Sequence, residues 1–353
     1  MLDTLVDRFG ESAVLFALGL SVGGLFGAAA QHSRFCLRSA TQEIAALRVG
    51  PQMLVWVIAF SAAVAATQGA VALGYADLSA ARQLAQTGSL SGAIIGGLLF
   101  GAGMILARGC VSRLLVLSAT GNLRAIVTGL VVTLVAQASL RGALSPARES
   151  LTRLWLVEGG AARDLLSRFG FGPGIAALVF AIALAAAMLA ALRQPGELPT
   201  RPVAAMFVGL VVAVGWIFTA RIAAVSFDVV PVTSITFTGP STDTLMGLVN
   251  SPSLPLTFGV GLVPGVVLGA FVAALLSRQF SIQRFGPDAP MERYLVGAFL
   301  MGFGSMLAGG CAVGAAVSGG ALFSVTAWLA GAAMWAGALI TIPLVEGRRR
   351  LAH

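Results

Sequence analysis

The chain has 353 residues, 58% of them hydrophobic and only 10% charged, with 44 glycines and a mean hydropathy of +0.93. Soluble domains carry about 25% charged residues, so a water-soluble globular fold is excluded and bilayer-crossing runs set the class. The net charge of +8 comes from arginines that lie mostly between the apolar runs, which fits membrane orientation rather than nucleic-acid binding.

The first residues, MLDTLVDRFGES, contain acids and lack the basic start and small-residue cleavage site of a secretory signal, so the first apolar run is expected to stay. Nine spans are predicted, near 12–31, 51–75, 88–107, 121–140, 171–192, 203–220, 254–276, 293–308 and 321–344. Glycine-rich pieces near 33–46, 108–120 and 309–320 are too short to cross alone. They read as re-entrant or broken helices, which a bilayer tolerates only where protein or a polar cavity covers the backbone. Segment 141–170, with Arg141, Arg148, Glu149, Arg153, Glu158, Arg163, Asp164 and Arg168, is a polar insertion expected to contain a surface-lying amphipathic helix. The stretch 221–253, rich in Pro, Ser and Thr, reads as a loop with short elements. The Arg348–Arg349–Arg350 cluster favours a cytoplasmic C-terminus, a layout that puts 14 of the 22 arginines inside.

The expected fold is therefore an all-α polytopic membrane protein, one domain over 1–353, with about nine transmembrane helices and a pseudo-symmetric internal repeat. The repeat is carried by Gly101-Ala102-Gly103-Met104-Ile105-Leu106-Ala107-Arg108-Gly109-Cys110 and Gly302-Phe303-Gly304-Ser305-Met306-Leu307-Ala308-Gly309-Gly310-Cys311, which share GxGxxLAxGC. A weaker match pairs Gly19, Gly23 and Gly27 with Gly261, Gly265 and Gly269. Together they suggest halves of about 12–140 and 254–345, flanking the insertion. By span parity the first match is antiparallel and the second parallel, so at least one span assignment or one repeat match is wrong. An inverted repeat meeting at a midplane site is the expected plan, since broken helices at matching positions mark such sites.

Three widely spaced cysteines do not make a disulfide framework. A single membrane cysteine is ordinarily a small apolar packing residue, but Cys36, Cys110 and Cys311 each sit where an apolar run meets a glycine- or arginine-bearing turn. Gly109, Gly309 and Gly310 free the backbone there and leave the thiols uncovered. Arg34 and Arg108 each lie two residues before a cysteine, with Arg38 and Arg113 nearby, and are also read as orientation-setting charges. A metal site of three thiolates with His32 fits poorly, because structural sites pair their cysteines closely. No metal, cofactor or catalytic residue is assigned, and the chain does not read as an enzyme.

HSRFCLRSA, GAGMILARGCVSRLLVLSATGNLRAIV and MGFGSMLAGGCAVGAAVSGGALFSVTAWLAG resemble the three cysteine motifs of the YeeE/YedE family of sulfur transporters, with agreement over nearly the whole chain. The resemblance implies a multi-pass protein of the bacterial inner membrane, hourglass-shaped, passing thiosulfate inward by way of Cys36, Cys110 and Cys311. It also suggests a cytoplasmic sulfurtransferase or small sulfur carrier as partner, besides the lipid bilayer and the sulfur anion itself. Another sulfur or selenium species, a membrane thiol/disulfide oxidoreductase and a subunit with inert cysteines remain the alternatives. None of the 14 acids falls in the middle of a predicted span, so tight proton coupling through a carboxylate relay is not expected.

Overall fold

The computed structural model describes residues 8–195, 198–226, 228–284 and 290–350, with side chains to 345. The side chains of Arg348–Arg350 and all of His353 lie outside the described residues.

In chain order the helices are α1 (Glu11–Ser33), α2 (Leu37–Ala45), α3 (Pro51–Ala72), α4 (Arg82–Ala85), α5 (Leu90–Leu106), α6 (Val111–Ala119), α7 (Leu123–Arg141) and α8 (Ser145–Thr152). They continue as α9 (Leu165–Phe169), α10 (Pro173–Leu192), α11 (Thr200–Val225), α12 (Thr238–Asn250), α13 (Phe258–Leu276) and α14 (Met291–Leu307). A π-helix over Ala312–Gly319 and α15 (Val325–Arg350) complete the chain. Nine of these helices, among the described residues, are long and apolar enough to cross a membrane. Local chemistry sets their starts. Proline opens α3 and α10, where its missing N–H costs nothing. Ser89, Asn122 and Thr257 accept first-turn N–H groups of α5, α7 and α13. The most lipid-facing span is α10, which leaves Ile175, Leu178, Ile182 and Leu189 exposed on its outer side while packing on α3.

Glycine lets the spans touch backbone to backbone. A Cβ on Gly96 would fall 2.5 Å from the Gly304 carbonyl oxygen, and one on Gly304 would fall 2.7 Å from that of Gly96. Gly103 and Gly297 stand in the same reciprocal relation, at 2.6 and 2.7 Å. Position 96 therefore meets 304 while 103 meets 297, so α5 and α14 run antiparallel. The +201 shift of the GxGxxLAxGC motif exchanges one contact for the other, as a two-fold axis across the pair requires.

The same exchange organises the rest. α1 packs on α13 as α11 packs on α3; α5 packs on α15 as α14 packs on α7. α2 lies on α3 as α12 lies on α13, and α6 on α7 as the π-helix on α15. The cross-pairs α2 with α15 and α12 with α7, and α1 with α6 and α11 with the π-helix, follow the same rule. On this pairing the second unit begins at α11, at Thr200 rather than near 254, and α10 is left between the units.

The weaker glycine match is something else. Gly19, Gly23 and Gly27 lie against residues 258–270 in rising order, while Gly261, Gly265 and Gly269 lie against residues 16–24. α1 and α13 are thus parallel partners in one small-residue interface, not repeat equivalents. Two surfaces that must approach closely need the same glycine spacing, which is why they matched.

The polar insertion covers one end of the bundle. It contains the short helix α8 and folds over the end of the bundle where α5 begins and α14 ends, here called the insertion face. Gly88–Ser89 pairs antiparallel with Leu156–Val157, and α8 packs against α5, α7 and α14. The buried Arg163 donates from Nη1 to the Gln86 and Arg82 carbonyls at 2.5 and 3.3 Å and from Nη2 to Thr326 Oγ1 at 2.6 Å. These bonds repay the desolvation of a charge that could not otherwise be held inside.

Candidate functional site

Each cysteine follows the same local route. A long helix ends in a residue with left-handed backbone, one residue intervenes, and the cysteine, extended, becomes the N-cap of a short helix. The left-handed residues are Arg34 (φ 56°), Arg108 (φ 57°) and Gly309 (φ 81°). The N-caps are Cys36 before α2, Cys110 before α6 and Cys311 before the π-helix. Left-handed backbone costs an ordinary residue about 1–2 kcal/mol. The tight reversal requires it all the same: the Gly109 N–H closes back on the Met104 carbonyl at 3.1 Å and the Gly310 N–H on that of Ser305 at 2.8 Å.

No side-chain hydrogen bond caps any of the three short helices. Their first-turn N–H groups and the positive end of the helix dipole therefore stand beside the thiols, an arrangement that favours an anion. All three cysteines are free and buried. The break expected at 33–46 is Leu37–Ala45, that at 108–120 is Val111–Ala119, and that at 309–320 is Ala312–Gly319.

The thiols are not evenly spread. Those of Cys36 and Cys110 lie close enough to influence each other, and the Ser112 hydroxyl lies 3.3 Å from the Cys110 sulfur. The cations whose fields reach Cys36 are Arg113 and Arg38. Arg113 is held by a polar chain that joins α6, α1 and the segment after α13: its Nη1 donates to Gln31 Oε1 at 3.4 Å, and Gln31 Nε2 donates to Gln279 Oε1 at 3.1 Å. Arg34 is exposed and Arg108 half-buried, and both shape the turns. Gln31 and Gln279 escaped the sequence reading, although a glutamine ending an apolar run, as Gln31 does, is itself a signal.

Cys311 stands at the other end of the antiparallel α5–α14 pair. Its π-helix touches α6, so the breaks enter from opposite faces and meet. Ser318 donates to the Ile235 carbonyl at 2.6 Å and Trp216 Nε1 donates to the Ser318 carbonyl at 3.1 Å, fixing the π-helix to the segment before α12. In the exchange of units the place of Cys36 falls to Phe237, the N-cap of α12, whose buried ring lies 5.1 Å from that of Phe26. Four breaks thus carry three thiols and one aromatic ring.

Two residues weighed in the sequence have other duties. His32 is exposed and its Nε2 lies 2.8 Å from Thr200 Oγ1, on α11. The Glu43 carboxylate accepts the Gln52 and Met53 N–H groups at 3.1 and 2.7 Å and so caps α3. Gly50 makes this possible, because a Cβ there would sit 2.5 Å from the Glu43 Cδ.

A family described as sulphur transport matches residues 32–340. The thiosulfate transporter TsuA of Spirochaeta thermophila is 29% identical over 326 residues, covering 88% of this chain and 93% of the relative. The thiosulfate transporter TsuA of Escherichia coli K12 is 24% identical over 332 residues, covering 88% of this chain and 89% of the relative.

Proposed function

The chain belongs to the sulphur transport family, and on that premise we propose that it carries thiosulfate into the cytoplasm by a route that passes Cys311, Cys110 and Cys36. The observation that carries this reading is the set of three uncapped helix N-termini, each led by a buried thiol, on breaks that enter from opposite faces and touch. Gly109, Gly309 and Gly310 give the turns beside the thiols their shape, and Arg34 and Arg108 occupy the equivalent turn positions.

The chemistry follows from the ion. Thiosulfate is a dianion with a soft terminal sulfur, and stripping its water in a low-dielectric passage is costly unless other donors replace it. Thiols donate weakly. A conducting site has to bind well enough to admit an ion and loosely enough to release it, and helix-end N–H groups supply the remaining stabilisation without a counter-charge that would trap it. Thiolates would repel the dianion, so neutral S–H groups are the working form.

By the span layout 14 of the 22 arginines fall on the side of the C-terminus, which supports placing that side in the cytoplasm of a bacterial inner-membrane protein. A dianion moving toward an inside-negative compartment faces about 4.6 kcal/mol per 100 mV. A facilitator cannot accumulate it against that slope, so net uptake depends on removal inside, by a sulfurtransferase or sulfur carrier.

The experiment is thiosulfate flux into proteoliposomes containing only this protein. Flux is expected to run down its gradient, slow when the lumen is made negative and ignore an imposed pH gradient. Uphill accumulation driven by pH would overturn the facilitator reading, and sulfate or selenite carried as fast as thiosulfate would overturn the substrate.

A further inference from the structure

The +201 shift that relates the two units carries Cys110 to Cys311 and Cys36 to Phe237. Cys36 and Cys110 lie close enough to influence each other, so the exchange seats Phe237 beside Cys311, where a fourth thiol would complete the set. The contacts around it agree. Ser318, on the π-helix led by Cys311, donates to the carbonyl of Ile235, two residues before Phe237, at 2.6 Å. Gly314 has no room for a Cβ because the Thr236 side chain stands there. The Phe237 side chain is fully buried, and its ring lies 5.1 Å from that of Phe26, which meets Phe35 edge-on at 6.5 Å. Phe35 directly precedes Cys36. Three rings therefore run from the Cys36 break to the place beside Cys311.

The second unit is one residue longer at this point. The shift is still +201 where Leu114 and Ala315 donate to the carbonyls of Cys110 and Cys311, but it is +202 in the next turns, where Thr120 donates to Leu117 and Leu322 to Gly319. The extra residue therefore lies between Ala315 and Gly319. The π-helix absorbs it, because i→i+5 turns take in one residue more than the α-helical turns of α6. What the longer turn supports is a double grip at Ser318: its hydroxyl holds the Ile235 carbonyl, and its own carbonyl accepts Trp216 Nε1 at 3.1 Å. A departure from regular helix geometry is thus placed where the Phe237 break is tied to the Cys311 break.

We propose that Phe237 is the hydrophobic gate of the route: its ring, backed by Phe26 and Phe35, stands where a fourth donor would let water and hydrated anions through, and the π-helix holds it beside Cys311. The inference deepens the thiosulfate reading given above and rests on it. A phenyl ring offers no hydrogen bond to replace lost hydration, so sulfate, which has only hard oxygens to present, meets a dewetted step it cannot cross cheaply. Thiosulfate presents a large soft sulfur instead, which the neighbouring thiol is matched to receive. Three thiols pass the ion on, and the ring in the fourth place keeps the passage closed to everything else.

The test uses the full chain in proteoliposomes, with stopped-flow light scattering for osmotic water permeability and uptake of labelled thiosulfate and labelled sulfate. Wild-type vesicles are expected to be as tight to water as protein-free ones and to exclude sulfate. Phe237→Ala is expected to raise water permeability and sulfate entry about tenfold, and Ser318→Ala, which loosens the grip on Ile235, about threefold. Phe237→Leu, which keeps an apolar plug, and Ser318→Thr, which keeps the hydroxyl, are expected to stay tight. A folded Phe237→Ala chain as tight as the wild type would overturn the gate. Equal leaks in Phe237→Ala and Phe237→Leu would overturn it too, since the leak would then report general loosening. Should Phe237→Ala not fold, the serine pair decides: no leak in Ser318→Ala, or the same leak in Ser318→Thr, counts against the gate. Water permeability does not involve thiosulfate, so the two readings fail separately. A wild-type chain that carries no thiosulfate would sink the transport reading, and the leak of the variants would still judge Phe237.

Discussion

At Cys110 the left-handed position of the break is an arginine, a second thiol lies close enough to influence the first, and Arg113 is held on a glutamine-anchored chain. At Cys311 the same backbone position is Gly309, the thiol is alone, and the cations come from the α4 loop and the insertion, through Arg82, Arg148 and Arg163. The two breaks share a ten-residue motif and a two-fold-related pair of helices, yet their surroundings were built from different parts of the chain. Pseudo-symmetry therefore preserves the backbone device, an uncapped N-terminus led by a thiol, and leaves its electrostatics free to differ. On the proposed route that freedom matters, since entry and exit make opposite demands.

The comparison breaks most sharply at the thiols. Cys36→Ala, Cys110→Ala and Cys311→Ala are each expected to lower thiosulfate flux by about 100-fold, the equivalent of about 2.7 kcal/mol at the barrier. Full flux in any one would remove that thiol from the route. Mild oxidation should also link Cys36 to Cys110 and leave Cys311 free, which peptide mass mapping reads directly; a Cys110–Cys311 bridge would contradict the pairing seen here.

Next in size is the helix contact that the two breaks share. Gly96→Leu forces a side chain onto the Gly304 carbonyl and is expected to destabilise the protein in detergent by about 3 kcal/mol. Gly129→Leu, where a Cβ meets nothing within 4 Å, should leave the melt unchanged. Equal losses at the two sites would mean that backbone contact at Gly96 is not what selects glycine.

Smaller effects separate structure from transport. Glu43→Gln weakens the acceptor that caps α3 and is expected to lower stability by about 1 kcal/mol, with flux per folded molecule unchanged. Loss of flux without loss of stability would give Glu43 a part in the route. The smallest contrast tests the turn positions themselves. Gly309→Ala, with open space for its methyl group, should cost about 1 kcal/mol through backbone strain alone, and Arg108→Gly should recover about as much. Thermal melts of both variants with opposite signs would sharpen the comparison; the same sign would refute it.

Much of the architecture is legible in the sequence because the bilayer is a severe solvent. Apolar runs of sufficient length must cross, which locates all nine spans, and the glycine–cysteine junctions locate the three breaks within a few residues of Leu37, Val111 and Ala312. Arg163, by contrast, looked like one arginine among several in a polar insertion. Its burial depends on carbonyls of residues 82 and 86 and on Thr326, far from it along the chain. Gln31 likewise finds Gln279 across 248 residues.

Composition and hydrophobic run length alone determined the class, the span count and the positions of the thiols, because those are local consequences of burying backbone in hydrocarbon. The internal repeat was legible only where both copies kept the motif. Which helices are equivalent and which are merely complementary was decided by the tertiary structure: glycine spacing looks the same in an element and in its partner, and only packing tells them apart. The same holds for the pairing of Cys36 with Cys110 and for the cluster of three arginines above Cys311. Both join residues from separate segments, and no spacing along the chain encodes a distance across it.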